Sequence, residues 1–220
     1  MIEAIIFDMD GVLVDSEYAM RKAAILALKE WDVEARHEDF RPFTGMGEDR
    51  FVGGVAELHG LTYQPVMKQR AYEIYLEICD EAIVRFPEIP QTIQKLSQMG
   101  FRIAIASAAD RIKVNANIAA AGIDPALLGA LVSGDDVTKK KPDPTAFLLA
   151  AERLGVEPSK CVVIEDALSG IEAALRAGMA AVGIPSSFSK EELLQGGAHL
   201  VAEETRLLPQ LLPTLHHHVQ

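Results

Sequence analysis

The chain has 220 residues, of which 49% are hydrophobic and 24% are charged. These values are typical of a globular protein and exclude a disordered, collagen-like or coiled-coil chain. Lysine and arginine number 21 against 32 aspartates and glutamates, and the net charge of -11 disfavours nucleic-acid binding, because a phosphate backbone is repelled.

The sequence predicts neither a signal peptide nor a membrane span. The first apolar run is short and includes Glu3, and no later stretch reaches about 18 apolar residues. Cys79 and Cys161 are too few for a disulfide framework and fit a reducing compartment. We therefore expect a cytoplasmic protein, a monomer or weak homodimer, with no nucleic-acid or membrane partner. The histidines His216–His218 are weak evidence for a metal site.

Short apolar runs, each closed by small or acidic residues, predict buried parallel strands. They are Ile2–Phe7, Phe101–Ala106, Leu131–Val132, Cys161–Ile164 and Ala180–Ile184. Helical patterns lie between the later runs, at Pro90–Met99, Arg111–Ala121, Pro144–Leu154 and Leu168–Ala177. A glycine follows each helix, as is usual at helix C-termini: Gly100, Gly122, Gly155 and Gly178. This alternation predicts an α/β fold with a doubly wound parallel sheet of the Rossmann-like type.

Residues 16–85 break this alternation. They contain no convincing strand and predict helices over Glu17–Trp31, near Asp49–His59, and over Gln64–Ile83. Such a segment is far longer than an ordinary connection after a first strand. We expect an inserted α-helical cap at 16–85, with residues 1–15 and 86–220 forming the α/β core.

Asp8 and Asp10 directly follow the first predicted strand. Residues two apart in an extended backbone point to the same face, so both carboxylates can converge at the carboxyl edge of the sheet, where open α/β folds bind ligands. Two close carboxylates favour a bound cation or a shared proton. The alternative, about equally weighted for this short pattern alone, is a turn followed by a helix cap.

Three further polar groups follow predicted strands. Glu165 and Asp166 come after the fourth run, where Asp166 is the better candidate for a metal ligand and also a candidate helix cap. Ser107 ends the second run and either holds a phosphate oxygen or forms a local turn, the turn being favoured for this residue alone. Lys141 precedes Pro142, which restricts its backbone and fixes its direction, and is a candidate point charge for phosphate.

Taken in order, these motifs resemble the haloacid dehalogenase-like hydrolase superfamily, in its branch of small phosphatases and β-phosphoglucomutase-like proteins with a helical cap. The resemblance spans about residues 2–185 and is carried by DMDGVLVDSE (8–17), IAIASAAD (103–110), KKKPDPTAF (139–147) and VVIEDALSGIEAALRAGM (162–179). It implies a Mg²⁺-dependent phosphatase that hydrolyses a small phosphorylated metabolite, a sugar phosphate or similar monoester.

The resemblance also implies roles for individual residues. Asp8 would be the nucleophile that forms an aspartyl-phosphate, and Asp10 the general acid and then the base. Mg²⁺ would lie on the Asp8 carboxylate, the Asp10 carbonyl and Asp166, with Glu165 as a further ligand. Ser107 and Lys141 would hold the phosphoryl group.

Departures from the family pattern bear on the reaction. Ala167 and Ala109 stand where relatives often carry hydroxyl residues, and Glu88 stands where glycine is common; none of these is a reacting group. Mutases of this branch carry a histidine just after the position of Tyr18, where this chain has Ala19 and then Met20. This favours hydrolysis over mutase chemistry.

Candidates for contact with the leaving group are charged residues of the predicted cap. They are Glu48 and Arg50, beside the loop containing Gly45 and Gly47, and Lys68 and Arg70 on the long helix. For each of them an exposed helix charge is the favoured alternative. A β-phosphoglucomutase-like phosphomutase and an inorganic pyrophosphatase stay open as functions. A 2-haloacid dehalogenase fits less well, and a non-catalytic phosphate-binding module is disfavoured because both Asp8 and Asp10 are present.

Overall fold

A computed structural model describes residues 1–43 and 47–217, and a six-stranded parallel sheet lies at its centre. In chain order the strands of the described residues are β1 (Ala4–Phe7), β2 (Val14–Asp15), β3 (Val84–Arg85), β4 (Arg102–Ala106), β5 (Ala130–Val132), β6 (Cys161–Glu165), β7 (Ala180–Gly183) and β8 (Leu200–Val201). The sheet order is β5-β4-β1-β6-β7-β8, and every adjacent pair is parallel. The first strand is therefore central, and the chain after it emerges in the middle of the sheet edge.

The helices flank this sheet and fill the interval before β3. They are α1 (Glu17–Lys29), α2 (Glu48–Leu58), α3 (Pro65–Ala82), α4 (Ile89–Gln98), α5 (Arg111–Ala120), α6 (Thr145–Leu154), α7 (Leu168–Arg176), α8 (Lys190–Gln195) and α9 (Leu208–Leu211). The predicted α/β fold class is confirmed, and each predicted helix is present to within about two residues of its predicted ends.

Both faces of the sheet are buried, which explains why its strands read as continuous apolar runs. Along β1, Ile5 and Phe7 pack into one core cluster, whereas Ala4 and Ile6 pack into the other. Successive residues of a strand point to opposite faces, so a strand covered on both sides requires apolar residues at every position. The run ends at Asp8, where the chain leaves the packed layers.

The glycines predicted to end helices do so. Gly100 has φ 92° and Gly155 has φ 64°, a left-handed conformation that costs glycine little and other residues more. Gly122 and Gly178 are alike, with φ 68° and 72°. The return of the chain from each helix to the next strand is thus encoded locally.

Helices α1, α2 and α3 form a separate layer over one edge of the sheet. Helix α1 packs along α3, and α3 also contacts α5 of the sheet layer. The two chain segments that connect this layer to the sheet pair with each other as an antiparallel ribbon, β2 with β3. Neither this ribbon nor the edge strand β8 was predicted from the sequence, because two-residue strands are too short to show a periodic pattern.

Across the described parts of the chain, no helix combines the length and apolar character needed to cross a lipid bilayer. Residues 44–46, which include the Gly45 of the predicted cap loop, lie outside the described residues, as do the side chains of the tail histidines 216–218.

Candidate active site

A cavity of about 270 Å³ lies between the carboxyl edge of the sheet and the α1–α3 layer. The sheet side contributes Asp8, Asp10, Ser107, Lys141, Glu165 and Asp166, together with Ala108, Ala109, Lys113, Lys140, Ala167, Ser169 and Ser187. The helical layer contributes Glu17, Met20, Phe43, Gly47, Glu48 and Phe51. The six core residues singled out from the sequence therefore line one cavity, as parallel strands that end at one edge require.

Lys141 links two of the strand ends. Its ammonium Nζ donates to Asp8 Oδ1 at 2.5 Å and to Glu165 Oε1 at 2.7 Å, and it lies 4.7 Å from the centre of the Phe147 ring. The Lys141 side chain is only 9% exposed, so both ion pairs are shielded from water. Burial by itself would lower the pKa of Lys141, but Asp8 and Glu165 outweigh it and raise that pKa, which keeps the ammonium charged.

Asp8 is a buried acid at the carboxyl end of β1. Its backbone N–H donates to Ile164 O at 2.9 Å, which continues the β1–β6 ladder one residue past the strand. Burial, and then the nearby Glu165 and Asp166, raise the pKa of Asp8 above its ordinary value, while Lys141 acts against that rise. A carboxylate in this position gains from any further cation.

Asp166 lies against the turn that follows β1. Ser187 Oγ donates to Asp166 Oδ2, and Ser186 Oγ lies 3.1 Å from the same oxygen and 2.7 Å from Gly11 O, between which its one hydrogen is shared. A methyl group added at Gly11, whose φ is 78°, would lie 2.0 Å from Asp166 Oδ2. The glycine thus permits the Asp166 carboxylate to approach the backbone next to Asp10. Burial, followed by Glu165, raises the pKa of Asp166 to about 6, against the two serine hydrogen bonds.

Three buried carboxyl groups, those of Asp8, Glu165 and Asp166, lie near one ammonium, that of Lys141, which forms ion pairs with Asp8 and Glu165. This arrangement leaves the cluster negative, and its all-oxygen donor set is the one that Mg²⁺ prefers. Among residues 1–43 and 47–217, no three His, Cys, Asp or Glu side chains are already gathered as a metal-binding group. The donor chemistry nevertheless fits a divalent cation that would engage Asp8 and Asp166, with a backbone carbonyl next to them.

Ser107 ends β4 and is 2% exposed. Its N–H continues the sheet by donating to Val132 O at 3.0 Å, and its Oγ accepts from Ala109 N at 3.1 Å. This is the local turn that was the alternative from sequence, and the side chain lines the cavity at the same time. The hydroxyl hydrogen stays available to an oxygen atom in the cavity.

Asp10 is held by three donors, none of them suggested by the sequence. Ser16 Oγ donates to Oδ1, Lys113 Nζ lies 3.1 Å from Oδ2, and Asn117 Nδ2 makes a long contact of 3.5 Å with Oδ1. The Asp10 side chain is 30% exposed, more than that of Asp8 at 12%. A carboxyl group at the wall of the cavity and partly open to it can exchange protons with a bound molecule.

Of the four charged residues suggested for the cap, Glu48 alone is on the cavity wall. Its side chain is 10% exposed, and burial raises the pKa of Glu48, which Lys113 counteracts. The structure places the other three in ion pairs outside that wall: Arg50 with Glu57, Lys68 with Asp49 and Asp110, and Arg70 with Glu30 and Glu73. Their assignment to the leaving group stays a prediction from sequence.

The helical layer presents an apolar wall. Met20, Phe43 and Phe51 line the cavity there, whereas Ala19, also fully buried, does not line it. Of the two residues that follow Tyr18, Met20 is therefore the one that lines the cavity. Its side chain has no acid or base group, so Met20, like Ala19, does not supply the histidine chemistry expected of a mutase.

Sequence reasoning missed Lys113, Asn117, Ser186 and Ser187. Lys113 and Asn117 are four residues apart on α5, and that spacing does indicate one helix face. No local pattern shows which partner they meet, since Asp10 is more than a hundred residues earlier in the chain. The two serines follow β7 at the same sheet edge as the acids. Their position just after a predicted strand could therefore have marked them as candidate site residues.

A parallel sheet with acids and a lysine gathered at its carboxyl edge is the architecture of an α/β enzyme. The family description that matches residues 2–178 is that of the haloacid dehalogenase-like hydrolases. The chain belongs to this family, as the sequence motifs indicated, and it is a hydrolase of that type.

Among curated relatives, the protein SUPPRESSOR OF QUENCHING 1, chloroplastic, of Arabidopsis thaliana is 41% identical over 92% of this chain, although the chain spans only 20% of that protein's length. The validoxylamine A 7'-phosphate phosphatase of Streptomyces hygroscopicus subsp. limoneus is 30% identical, over 89% of this chain and 91% of the relative. Relatives of this chain are thus named as phosphatases.

Solved structures of similar chains share the complete fold. CbbY from Rhodobacter sphaeroides, crystallised in complex with phosphate, has a TM-score of 0.80 and 26% identity, with 94% of this chain and 96% of that chain covered. A putative beta-phosphoglucomutase from Thermotoga maritima has a TM-score of 0.78 and 27% identity, with 97% and 99% covered. The helical layer is thus part of the shared architecture, since nearly every residue is aligned.

Proposed function

We propose that this protein is a Mg²⁺-dependent phosphatase that hydrolyses a small phosphate monoester through an aspartyl-phosphate. The observation that carries the proposal is the cluster in which Lys141 joins Asp8 to Glu165 beside Asp166. Phosphoryl transfer needs an aligned nucleophile and positive charge near the equatorial oxygens. In this cluster Asp8 would be the nucleophile, and Lys141 would supply part of the positive charge. Bound Mg²⁺ would add the remaining positive charge, held by Asp8, Asp166 and the Asp10 carbonyl, with Glu165 as a further ligand.

The chain's own residues divide the chemistry between two steps. In the first, an Asp8 oxygen bonds to phosphorus, the bond from phosphorus to the leaving oxygen breaks, and Asp10 gives that oxygen its proton. In the second, Asp10 takes a proton from water while the water oxygen attacks phosphorus, which frees Asp8 and inorganic phosphate. Lys141 and Ser107 hold the phosphoryl oxygens throughout, Lys141 as a fixed point charge and Ser107 as a hydroxyl donor.

The leaving group is a small polyhydroxylated or similar metabolite. A cavity of about 270 Å³ admits a sugar-sized molecule, and its far wall pairs the apolar Met20, Phe43 and Phe51 with the acceptor Glu48. Apolar walls with a few placed polar groups are the usual composition of such sites. The names of relatives support a phosphorylated carbohydrate or related compound as the substrate class.

Residues 16–85 act as a cap over the core formed by 1–15 and 86–220. The antiparallel ribbon of β2 and β3 carries both connections and is the natural place for a hinge, since the two crossings then move together. Closure would exclude bulk water while the aspartyl-phosphate exists. Crystals with and without a phosphate mimic that show the same cap angle would contradict this role. A cytoplasmic location and a monomeric or weakly dimeric state stay predictions from the sequence.

Mutase chemistry is the second candidate, because a structural neighbour is named as a putative beta-phosphoglucomutase. A mutase needs its sugar phosphate to turn over and be rephosphorylated, with water kept from the aspartyl-phosphate. In this chain neither Ala19, the position compared with the mutases, nor Met20 beside it, which lines the cavity, carries an acid or base group that would serve that reaction. Hydrolysis is therefore the preferred function.

The test is release of inorganic phosphate from a broad panel of phosphorylated metabolites, p-nitrophenyl phosphate and pyrophosphate, ranked by kcat/KM with Mg²⁺ and with EDTA. We expect a sugar monophosphate to rank first and EDTA to abolish turnover. Asp8→Asn is expected to lose turnover, whereas the control Asp32→Asn, an exposed turn residue with φ 59°, is expected to keep it. Isomerised sugar phosphate without free phosphate would indicate a mutase, and a preference for pyrophosphate would indicate a pyrophosphatase.

A further inference from the structure

Lys113 is a buried lysine that the proposed reaction does not use. It lies on α5, lines the cavity, and has a side chain that is 9% exposed. Its Nζ lies 3.1 Å from Asp10 Oδ2 and 3.8 Å from Glu48 Oε1. Because desolvating an ammonium is costly, a lysine buried at this depth needs nearby carboxylates, and the two it has belong to different layers of the molecule.

Asn117 lies one helical turn further along the same face of α5. Its Nδ2 makes a contact of 3.5 Å with Asp10 Oδ1, and its Oδ1 accepts a hydrogen bond from the hydroxyl of Tyr75 on α3. Two residues of one helix face therefore meet Asp10 on one side and the helical layer on the other, Lys113 through Glu48 of α2 and Asn117 through Tyr75. Helix α5 thus connects the Asp10 carboxyl group to both α2 and α3.

This connection bears on the orientation of the Asp10 side chain. The Asp10 side chain follows the end of β1 and is 30% exposed, against 12% for Asp8, so burial constrains its carboxyl group less. Contacts from Ser16 and Asn117 reach Oδ1, and Lys113 is the one charged donor among these contacts, on Oδ2. A hydrogen bond from a buried ammonium to a carboxylate is charge-assisted, which the contacts from Ser16 and Asn117 are not to the same degree.

We propose that Lys113 is a positioning residue for proton transfer by Asp10, and that it sets the direction of the Asp10 carboxyl group relative to the leaving oxygen. The inference rests on the proposed function and adds a residue to it. Lys113 neither binds phosphate nor exchanges a proton in this account. It acts through Asp10, whose loss of alignment by about 1 Å is enough to reduce a rate about 100-fold.

Leaving-group dependence separates this role from a purely structural one. An aliphatic alcohol leaves from phosphorus only if its oxygen is protonated, whereas p-nitrophenolate leaves with little help. The experiment measures kcat/KM, which reports the steps through expulsion of the leaving group, for glycerol 2-phosphate and for p-nitrophenyl phosphate. Lys113→Met is expected to lose about 100-fold on glycerol 2-phosphate and less than about fivefold on p-nitrophenyl phosphate.

Three further variants define the result. Lys113→Arg, which keeps a cation, is expected to recover most of the activity on glycerol 2-phosphate. Lys22→Met, an exposed lysine on α1, is expected to leave both values unchanged. In an Asp10→Asn background, Lys113→Met is expected to add no further loss on glycerol 2-phosphate, because both substitutions act on the same proton transfer.

Equal losses on the two substrates, or losses that add fully to those of Asp10→Asn, would overturn the inference and leave the proposed phosphatase intact. A wild-type protein that released phosphate from neither substrate would overturn the proposed function and this inference together. Circular dichroism verifies that each variant is folded. If Lys113→Met does not fold, Lys113→Gln provides the comparison, since it keeps a polar side chain, one atom shorter, without the charge.

Discussion

Asp166→Asn is expected to make the metal-free protein more stable near neutral pH relative to the wild type. In the folded chain Asp166 is 5% exposed and lies next to Glu165, and the hydroxyls of Ser187 and Ser186 and the ammonium of Lys141 offset this in part. The pKa of Asp166 rises from an ordinary 3.8 to about 6. Between these two pH values the folded state retains a proton on Asp166 that the unfolded state has lost. Stability from this group is present at low pH and declines as the pH rises through 6.

The size of the effect follows from that shift. A displacement of about two pKa units corresponds to about 3 kcal/mol once the pH exceeds both values. From pH 4.5 to the folded-state pKa of about 6 is about 1.5 pH units. Raising the pH from 4.5 to 7 should therefore lower the free energy of unfolding of the wild type by about 2 kcal/mol, a loss that the variant with the uncharged asparagine does not have. Comparing the two pH values removes any constant packing difference between Asp and Asn.

The assay is urea unfolding of both proteins in EDTA at pH 4.5 and pH 7. The variant's advantage in free energy of unfolding is expected to grow by about 2 kcal/mol from the lower to the higher pH. Saturating Mg²⁺ at pH 7 is expected to reverse the order, because the wild type gains binding energy that the variant lacks. An advantage that does not change with pH in EDTA would refute the description of Asp166 as a carboxyl group whose pKa is raised by burial and by Glu165.

Three other substitutions test separate parts of the site. Lys141→Met should destabilise the metal-free protein by about 3 to 5 kcal/mol in urea unfolding, since it leaves Asp8 and Glu165 buried without their ammonium; a loss below about 1 kcal/mol would contradict the buried ion pairs. Gly11→Ala should weaken Mg²⁺ binding in calorimetry at least tenfold, because its Cβ would collide with the Asp166 carboxylate at a φ of 78°; an unchanged affinity would show that the turn is not fixed. Arg70→Met, which removes ion pairs with Glu30 and Glu73 outside the cavity, should change kcat/KM by less than about twofold, and a large loss would instead support its earlier assignment to the leaving group.

The sheet and the strand-end residues were predictable because their signals are local. A strand buried on both faces must be apolar at every position, and the first polar residue after it lies at the sheet edge, as for Asp8, Ser107 and Glu165. Strand ends of a parallel sheet meet at one edge, so the residues at or beside strand ends were expected to converge without any knowledge of distances: Asp8, Asp10, Ser107, Glu165 and Asp166. The glycines at the helix C-termini marked where each helix ends.

The contacts around Asp10 could not be predicted in this way. Lys113 reads as one more polar residue in a helix, and its burial depends on where α5 lies against the helical layer. In the same manner, Arg50 and Lys68 looked like charges available to a substrate, yet each is paired with a neighbour in the folded chain. Which charges face a cavity is set by the packing of one layer on another, and a single sequence carries no local record of it.

The central claim is that Asp8 attacks phosphorus and carries the phosphoryl group. The most direct measurement is acid quenching of the protein during turnover of p-nitrophenyl phosphate with Mg²⁺, followed by mass spectrometry of its peptides after reduction of acyl phosphates with borohydride. The account predicts that Asp8 is the modified residue, and that the modification is absent in Asp8→Asn. Turnover that persists in Asp8→Asn, or a phosphoryl group found on another side chain, would contradict it.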